Sequence, residues 1–206
     1  MSLLISSLLV AILLLLAIVN LERIKPRPRD LMPVVVLAAL AILGRVAMMP
    51  IPNFQPATAL IVLAGFFFGR NAGLLCGMVV ALVSNLLLGH GPWTPWQMLA
   101  WGLVGYGAGI LGGLIQSGRI TSIILQLAVI VYGTLASLLF GMLMDLQFFI
   151  AYAWETGWSG LIATWTVGMP MNLSHAASTL IFLTLTLVPW GKKLQRLKTK
   201  YGIQLI

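Results

Sequence analysis

The sequence predicts an all-α, multi-spanning membrane protein, and three observations carry that reading. Hydrophobic residues make up 60% of the chain and charged residues only 8%, a balance that excludes an ordinary soluble domain. The apolar residues fall in several runs at or near the ~20 residues that an α-helix needs to cross a bilayer core. The basic residues lie between these runs and, once alternate loops are assigned to alternate sides, collect on one side.

The first run, residues 2–19, is followed by Glu22-Arg23-Ile24-Lys25-Pro26-Arg27-Pro28-Arg29-Asp30. A signal peptide would carry its charges before the apolar stretch and a small-residue cleavage site after it. Here the basic cluster follows, so the run reads as a retained helix whose C-terminal end is cytoplasmic. Further runs cover residues 31–49, 56–68, 72–89, 95–115, 121–144 and 170–188, giving seven helices if the short 56–68 run spans. That run continues through Gly69-Arg70-Asn71-Ala72-Gly73 as a tight helical hairpin, with glycine permitting the turn. Pro33, Pro56, Pro95 and Pro170 fall near predicted helix starts, where a missing N–H costs nothing.

This alternation places Arg23, Lys25, Arg27, Arg29, Arg70, Arg119, Lys192, Lys193, Arg196, Lys198 and Lys200 on the cytoplasmic side, and of the 12 basic residues leaves only Arg45 elsewhere. The net charge of +8 is therefore explained by topology and anionic head groups, and nucleic-acid binding is not expected. Cys76 is the only cysteine and lies in an apolar run, which leaves no disulfide framework and no thiolate metal site.

The outer side receives Asn53, Gln55, His90, Asp145, Glu155 and the tryptophans 93, 96, 101, 154, 158 and 165, with only Trp190 inside. Aromatic belts form at both interfaces, so a one-sided excess favours an outward-facing aromatic pocket. Its centre is the Gly89-His90-Gly91-Pro92-Trp93-Thr94-Pro95-Trp96-Gln97 bend, continued by Trp101; Gln97 and Trp101, four apart, share a helix face. Gly65, Gly69, Gly73 and Gly77 recur every four residues, as do Gly105, Gly109 and Gly113, a spacing that lets helix backbones approach closely in lipid. Such faces serve internal packing more often than docking.

Polar residues within apolar runs are costly unless they face protein or water, and the short set here is Arg45, Asn85, Asp145, Asn172 and His175. Snorkelling to head groups or pairing with Asp145 or Glu155 is favoured for Arg45 over meeting a ligand. Asn172 and His175, three apart on the opening turn of the last helix, can face one cavity, and a structural role for the histidine stands level with ligand contact. There is no His-x-x-x-His or His-Glu-x-x-His spacing and no Gly-x-x-x-x-Gly-Lys-Ser/Thr loop, so neither a metal site nor an ATP site is expected within the chain.

From residue 31 to about 193 the chain resembles the substrate-binding S components of energy-coupling factor (ECF) vitamin transporters. The resemblance rests on Pro52-Asn53-Phe54-Gln55-Pro56-Ala57-Thr58 and the apolar stretch that follows to Gly69, then on Ala72-Gly73, Ser84-Asn85 and the Gly89–Gln97 bend. It implies a six-helix membrane domain that captures a vitamin outside and then topples onto a transmembrane coupling subunit driven by two ATPases. The full expectation is a six-helix core (residues 31–190), an additional N-terminal transmembrane helix (1–22) and a basic cytoplasmic tail (191–206), in a multi-pass protein of a prokaryotic plasma membrane.

The Gly-Pro-Trp-Thr-Pro-Trp-Gln bend looks closest to cobalamin-type S components. The expected ligand is cobalamin, with another vitamin or a cobalamin precursor as the alternative and an intramembrane enzyme further behind. Expected ligand contacts are Asn53, Phe54, Gln55, Asn85, His90, Trp93, Trp96, Gln97, Trp101, Asn172 and His175, with coordination of cobalt by His175 or His90 ranked below hydrogen bonding or packing. S components typically dock through an Ala-x-x-x-Ala pattern on the first core helix. Here Ala38, Ala41 and Gly44 stand at spacings of three, and they are the expected docking face for the coupling subunit. No resident cofactor is expected, and ATP belongs to the partner subunits.

Overall fold

The computed structural model describes residues 2–114 and 122–206, and its elements are all helical. In order they are α1 (Ser2–Ile24), α2 (Pro28–Ala47), α3 (Ala57–Phe68), α4 (Arg70–Leu88), α5 (Thr94–Leu114), α6 (Ile123–Phe148), a π-helical turn (Phe149–Ala153), a 3-10 turn (Trp154–Thr156) and α7 (Gly157–Tyr201). Arg119, and the expected ends of two runs at residues 115 and 121, lie outside the described residues. The described helices Pro28–Ala47 and Arg70–Leu88 and the helical stretch Ile123–Tyr201 are long and apolar enough to cross a membrane, and Ala57–Phe68 is a shorter apolar helix. Large apolar side chains such as Leu15, Val35, Leu43, Leu86, Leu139 and Val167 stand on the exterior, an outward-apolar surface compatible with a helix bundle in a membrane.

The short α3 is the axis of the bundle. It is apolar on every side except for Thr58, and all of its residues but Phe66 are buried, because α2, α4, α5, α6 and α7 surround it. A helix hydrophobic all round belongs in such an interior position. Close approach is bought by glycine: a Cβ on Gly105 of α5 would run into the Gly73 backbone of α4, and one on Gly65 of α3 would run into Gly105 O. The expected small-residue faces therefore pack internally. Gly69 is the turn between α3 and α4, with φ +106°, a conformation open to glycine and strained for other residues.

Three expectations need correction. Pro170 does not start the last helix: α7 runs unbroken from Gly157 and carries both Pro170 and Pro189 inside it. Asn172 and His175 consequently lie mid-helix. Pro33 is also internal, because α2 begins at Pro28, where a proline at the first helical position lacks only an N–H that would go unused. The expected docking face is turned inward. Ala38 and Ala41 are buried, Ala41 at 0% exposure, and Gly44 faces the Pro56 ring, so these small residues seat α2 on its neighbours while Met32, Val35, Val36 and Leu43 face out.

At one end of the bundle the basic segments converge. Arg27 Nε and a terminal guanidinium nitrogen donate to the buried Asp30 carboxylate at 2.7 and 3.0 Å, and Arg27 also donates to Gly202 O. Residues 203–206 fold back across this end, where Gln204 N donates to Asp30 Oδ1, Ile206 N to Phe68 O and Asn71 N to Ile206 O. Ile203 and Ile206 are buried, so the chain after α7 is a clasp joining α2, α7 and the α3–α4 turn. α1 lies at the periphery against α5, with Val10 and Leu14 packed on Leu74, Met78 and Trp96.

Candidate functional site

At the end opposite the basic clasp, polar side chains from five helices converge in an otherwise apolar interior. Arg45, near the end of α2, donates to Ser84 Oγ and, at 2.8 Å, to Asn85 Oδ1, both on the last turns of α4. The Asn85 amide nitrogen then donates to Thr94 Oγ1 at 2.9 Å and Gln97 Oε1 at 2.7 Å, tying the start of α5 to the end of α4. The guanidinium lies over the Trp101 ring, 4.9 Å from its centroid. Trp101, fully buried, donates its indole N–H to Thr58 Oγ1 at 2.9 Å, and that hydroxyl is 2.6 Å from His175 Nε2. Having accepted from Trp101, Thr58 can give its O–H to the imidazole in the tautomer protonated at Nδ1. Phe140 closes the ring by stacking on Trp101 at 4.7 Å and meeting His175 edge-on at 5.1 Å.

The electrostatics of this cluster are asymmetric. Arg45 brings a full positive charge to a half-buried position, and its partners are neutral oxygens and a π face. The ion pair found among the described residues is Arg27–Asp30, at the other end of the molecule. Asp145, one of the two acids expected as a partner for Arg45, accepts instead from Asn172 Nδ2 at 2.7 Å. The guanidinium is thus stabilised by hydrogen bonds without a counter-charge, a state that favours an incoming carboxylate or a strongly polar carbonyl.

The structure sorts the sequence candidates into three groups. Asn85, Gln97, Trp101 and His175 join in the Arg45 cluster, and Asn172 lies one turn before His175, held by Asp145. Gln55, Asn53 and Phe54 come from the loop before α3 and pack on α7: Gln55 O accepts from Ser178 at 2.7 Å, Asn53 Nδ2 approaches Met171 O at 3.4 Å, and Phe54 meets Phe182 at 5.9 Å. His90 and Trp93 are exposed on the α4–α5 loop, and Trp96 faces the opposite way, into the contact with α1. Its indole Nε1 has no hydrogen-bond partner among the described residues. The tryptophans of the bend therefore do not line one pocket. Trp96 and Trp101 are five residues apart, which puts them about 140° around the helix.

Arg45 neither snorkels free of the bundle nor pairs with Asp145 or Glu155; it is the centre of the cluster. Thr58, Ser84 and Phe140 complete that centre without having been expected as contacts, and a lone hydroxyl in the otherwise apolar α3 was the signal that could have found the first of them. His175 Nε2 is engaged by Thr58 and the ring is 2% exposed, so cobalt coordination through that nitrogen has no basis in this arrangement. Among the described residues no three His, Cys, Asp or Glu side chains gather as a metal site would require.

Residues 24–191 match DUF6580, a family of unknown function. The chain belongs to that family. The match begins at the last residue of α1 and ends within α7, so the family domain comprises α2 to α6 and most of α7, and α1 lies outside it. No curated protein and no solved structure matches the chain.

Proposed function

We propose that the chain is a solute-capturing membrane subunit of the ECF S-component type, binding a vitamin outside and passing it inward through a coupling subunit and two ATPases. The observation that carries this reading is the Arg45–Asn85–Gln97 and Trp101–Thr58–His175 cluster. Five helices contribute to it, it lies at the end away from the basic residues, and it combines one unpaired charge with hydrogen-bonding groups and aromatic walls. Small-molecule sites share that division between apolar walls and a few orienting polar groups. Six helices from α2 to α7 supply the S-component core, with α1 as the additional helix, and a plasma-membrane location with the basic end cytoplasmic follows from the charge asymmetry.

Cobalamin is the ligand that the resemblance names. A second reading, a smaller vitamin carrying a carboxylate, is favoured by Arg45: its guanidinium lacks a counter-charge, and the surrounding side chains close on one another at hydrogen-bond distance instead of framing a wide aromatic mouth. Titrating the purified chain in parallel with cobalamin, cobinamide and small carboxylate vitamins separates the two. Under the second reading Arg45→Met weakens binding by about 10- to 100-fold, the scale of a lost charge-assisted hydrogen bond, and cobalamin does not bind. Tight cobalamin binding indifferent to Arg45→Met restores the first. Turnover of a substrate by the isolated chain overturns both.

A further inference from the structure

A groove of about 750 Å³ runs between α2 and the end of α7 at the basic end of the bundle, far from the Arg45 cluster. Its walls are apolar: Met32, Val36 and Leu40 on α2 face Trp190, Leu194 and Leu197 on α7. From Arg29 to Leu40 the α2 wall is 12 residues long, a rise of about 16 Å at 1.5 Å per residue step, close to the ~15 Å hydrocarbon depth of one leaflet. Two cations, Arg29 and Lys193, line the same groove with exposed side chains, and Tyr201 flanks them. The nearest acid, Asp30, does not neutralise them, since its carboxylate is occupied by Arg27 and by Gln204 N.

We propose that this groove holds one anionic phospholipid of the leaflet at the basic side, with an acyl chain along the α2–α7 wall and the phosphate between Arg29 and Lys193. Length and charge argue together for this occupant. A neutral helix from a partner would bury the apolar wall but leave two cations at the rim without a counter-charge, whereas a phosphodiester supplies one at the depth where the acyl chain ends. The inference is independent of the solute assignment.

The test uses the full chain in nanodiscs of equal phosphatidylglycerol and phosphatidylcholine, released into the gas phase for native mass spectrometry. One phosphatidylglycerol per chain is expected to survive in preference to phosphatidylcholine. Arg29→Gln or Lys193→Gln should each lower that preference about fivefold, and the double variant about thirtyfold, with no change in melting temperature. Val36→Trp, which fills the groove and leaves both cations, should release the lipid. Equal retention of the two lipids, a preference unmoved by the double variant, or a lipid-free assembly of two chains through this face overturns the proposal.

Discussion

Replacing Gly105 by alanine tests the close helix packing on which the position of Trp101 depends. A Cβ at residue 105 would sit 2.8 Å from Gly73 Cα and nearer still to the Gly73 carbonyl, while ordinary van der Waals contact begins at 3.4 Å. The obstructing atoms are backbone, so no rotamer change relieves them, and α4 and α5 must move apart by at least the 0.6 Å separating those two values. Overpacking of this kind costs about 1–3 kcal/mol. At about 2–4 °C per kcal/mol, the scale for soluble domains of similar size, the melting temperature should fall by about 2–12 °C. Gly113 on the same helix is the control, because no described residue lies within 4 Å of its added Cβ and Gly113→Ala should be neutral. Melting of both variants in detergent, followed by intrinsic tryptophan fluorescence, reads the difference. If Gly105→Ala melts with Gly113→Ala, the tight α4–α5 contact is refuted.

The two central tryptophans should separate in their effects. Trp96→Ala should loosen α1, read as faster proteolysis of residues 1–24 with solute affinity retained, because Trp96 packs on Val10 and Leu14. Under the proposed function Trp101→Ala should lower solute affinity instead, by roughly 1–3 kcal/mol, and equal effects of the two on binding would contradict the division. Topology is tested with cysteines placed at the exposed His90 and at Thr199: an impermeant thiol reagent should label the first from outside and spare the second, and the reverse would invert the molecule. Cys76, fully buried, should stay unlabelled in both.

The apolar runs made most of the helices legible in advance, since hydropathy and length report the same physical demand that a membrane imposes. Residues 157–169 were missed because Trp158, Ser159, Thr164, Trp165 and Thr166 interrupt the apolar pattern, and Pro170 looked like a beginning. A proline does occur within long apolar helices when neighbouring groups satisfy the carbonyl it frees. Arg45 was legible as an anomaly, but its partners were not. Arg45 and Asn85, or Thr58 and His175, are brought together only by tertiary packing, 40 and 117 residues apart in the chain. The inward turn of Ala38 and Ala41 was open to reading, because small residues at spacings of three and four suit a helix's own neighbours as well as a foreign one. The opposed directions of Trp96 and Trp101 also follow from their spacing alone.

Helix α7 is 45 residues long, about 67 Å, more than twice the hydrocarbon thickness of a bilayer. It therefore tilts or extends beyond the membrane, and it reaches both chemically distinctive ends of the molecule. His175 touches the Arg45 cluster, and Lys193, 18 residues or about 27 Å further on, stands in the basic groove. Pro189 lies between them, at a point where a helix bends with little hydrogen-bonding loss. A tilt of about 10° of this whole arm about His175 would carry Lys193 sideways by about 5 Å, whereas a bend at Pro189, four residues away, would carry it only about 1 Å, so a shift at the Arg45 cluster reaches the opposite face through the tilt of α7.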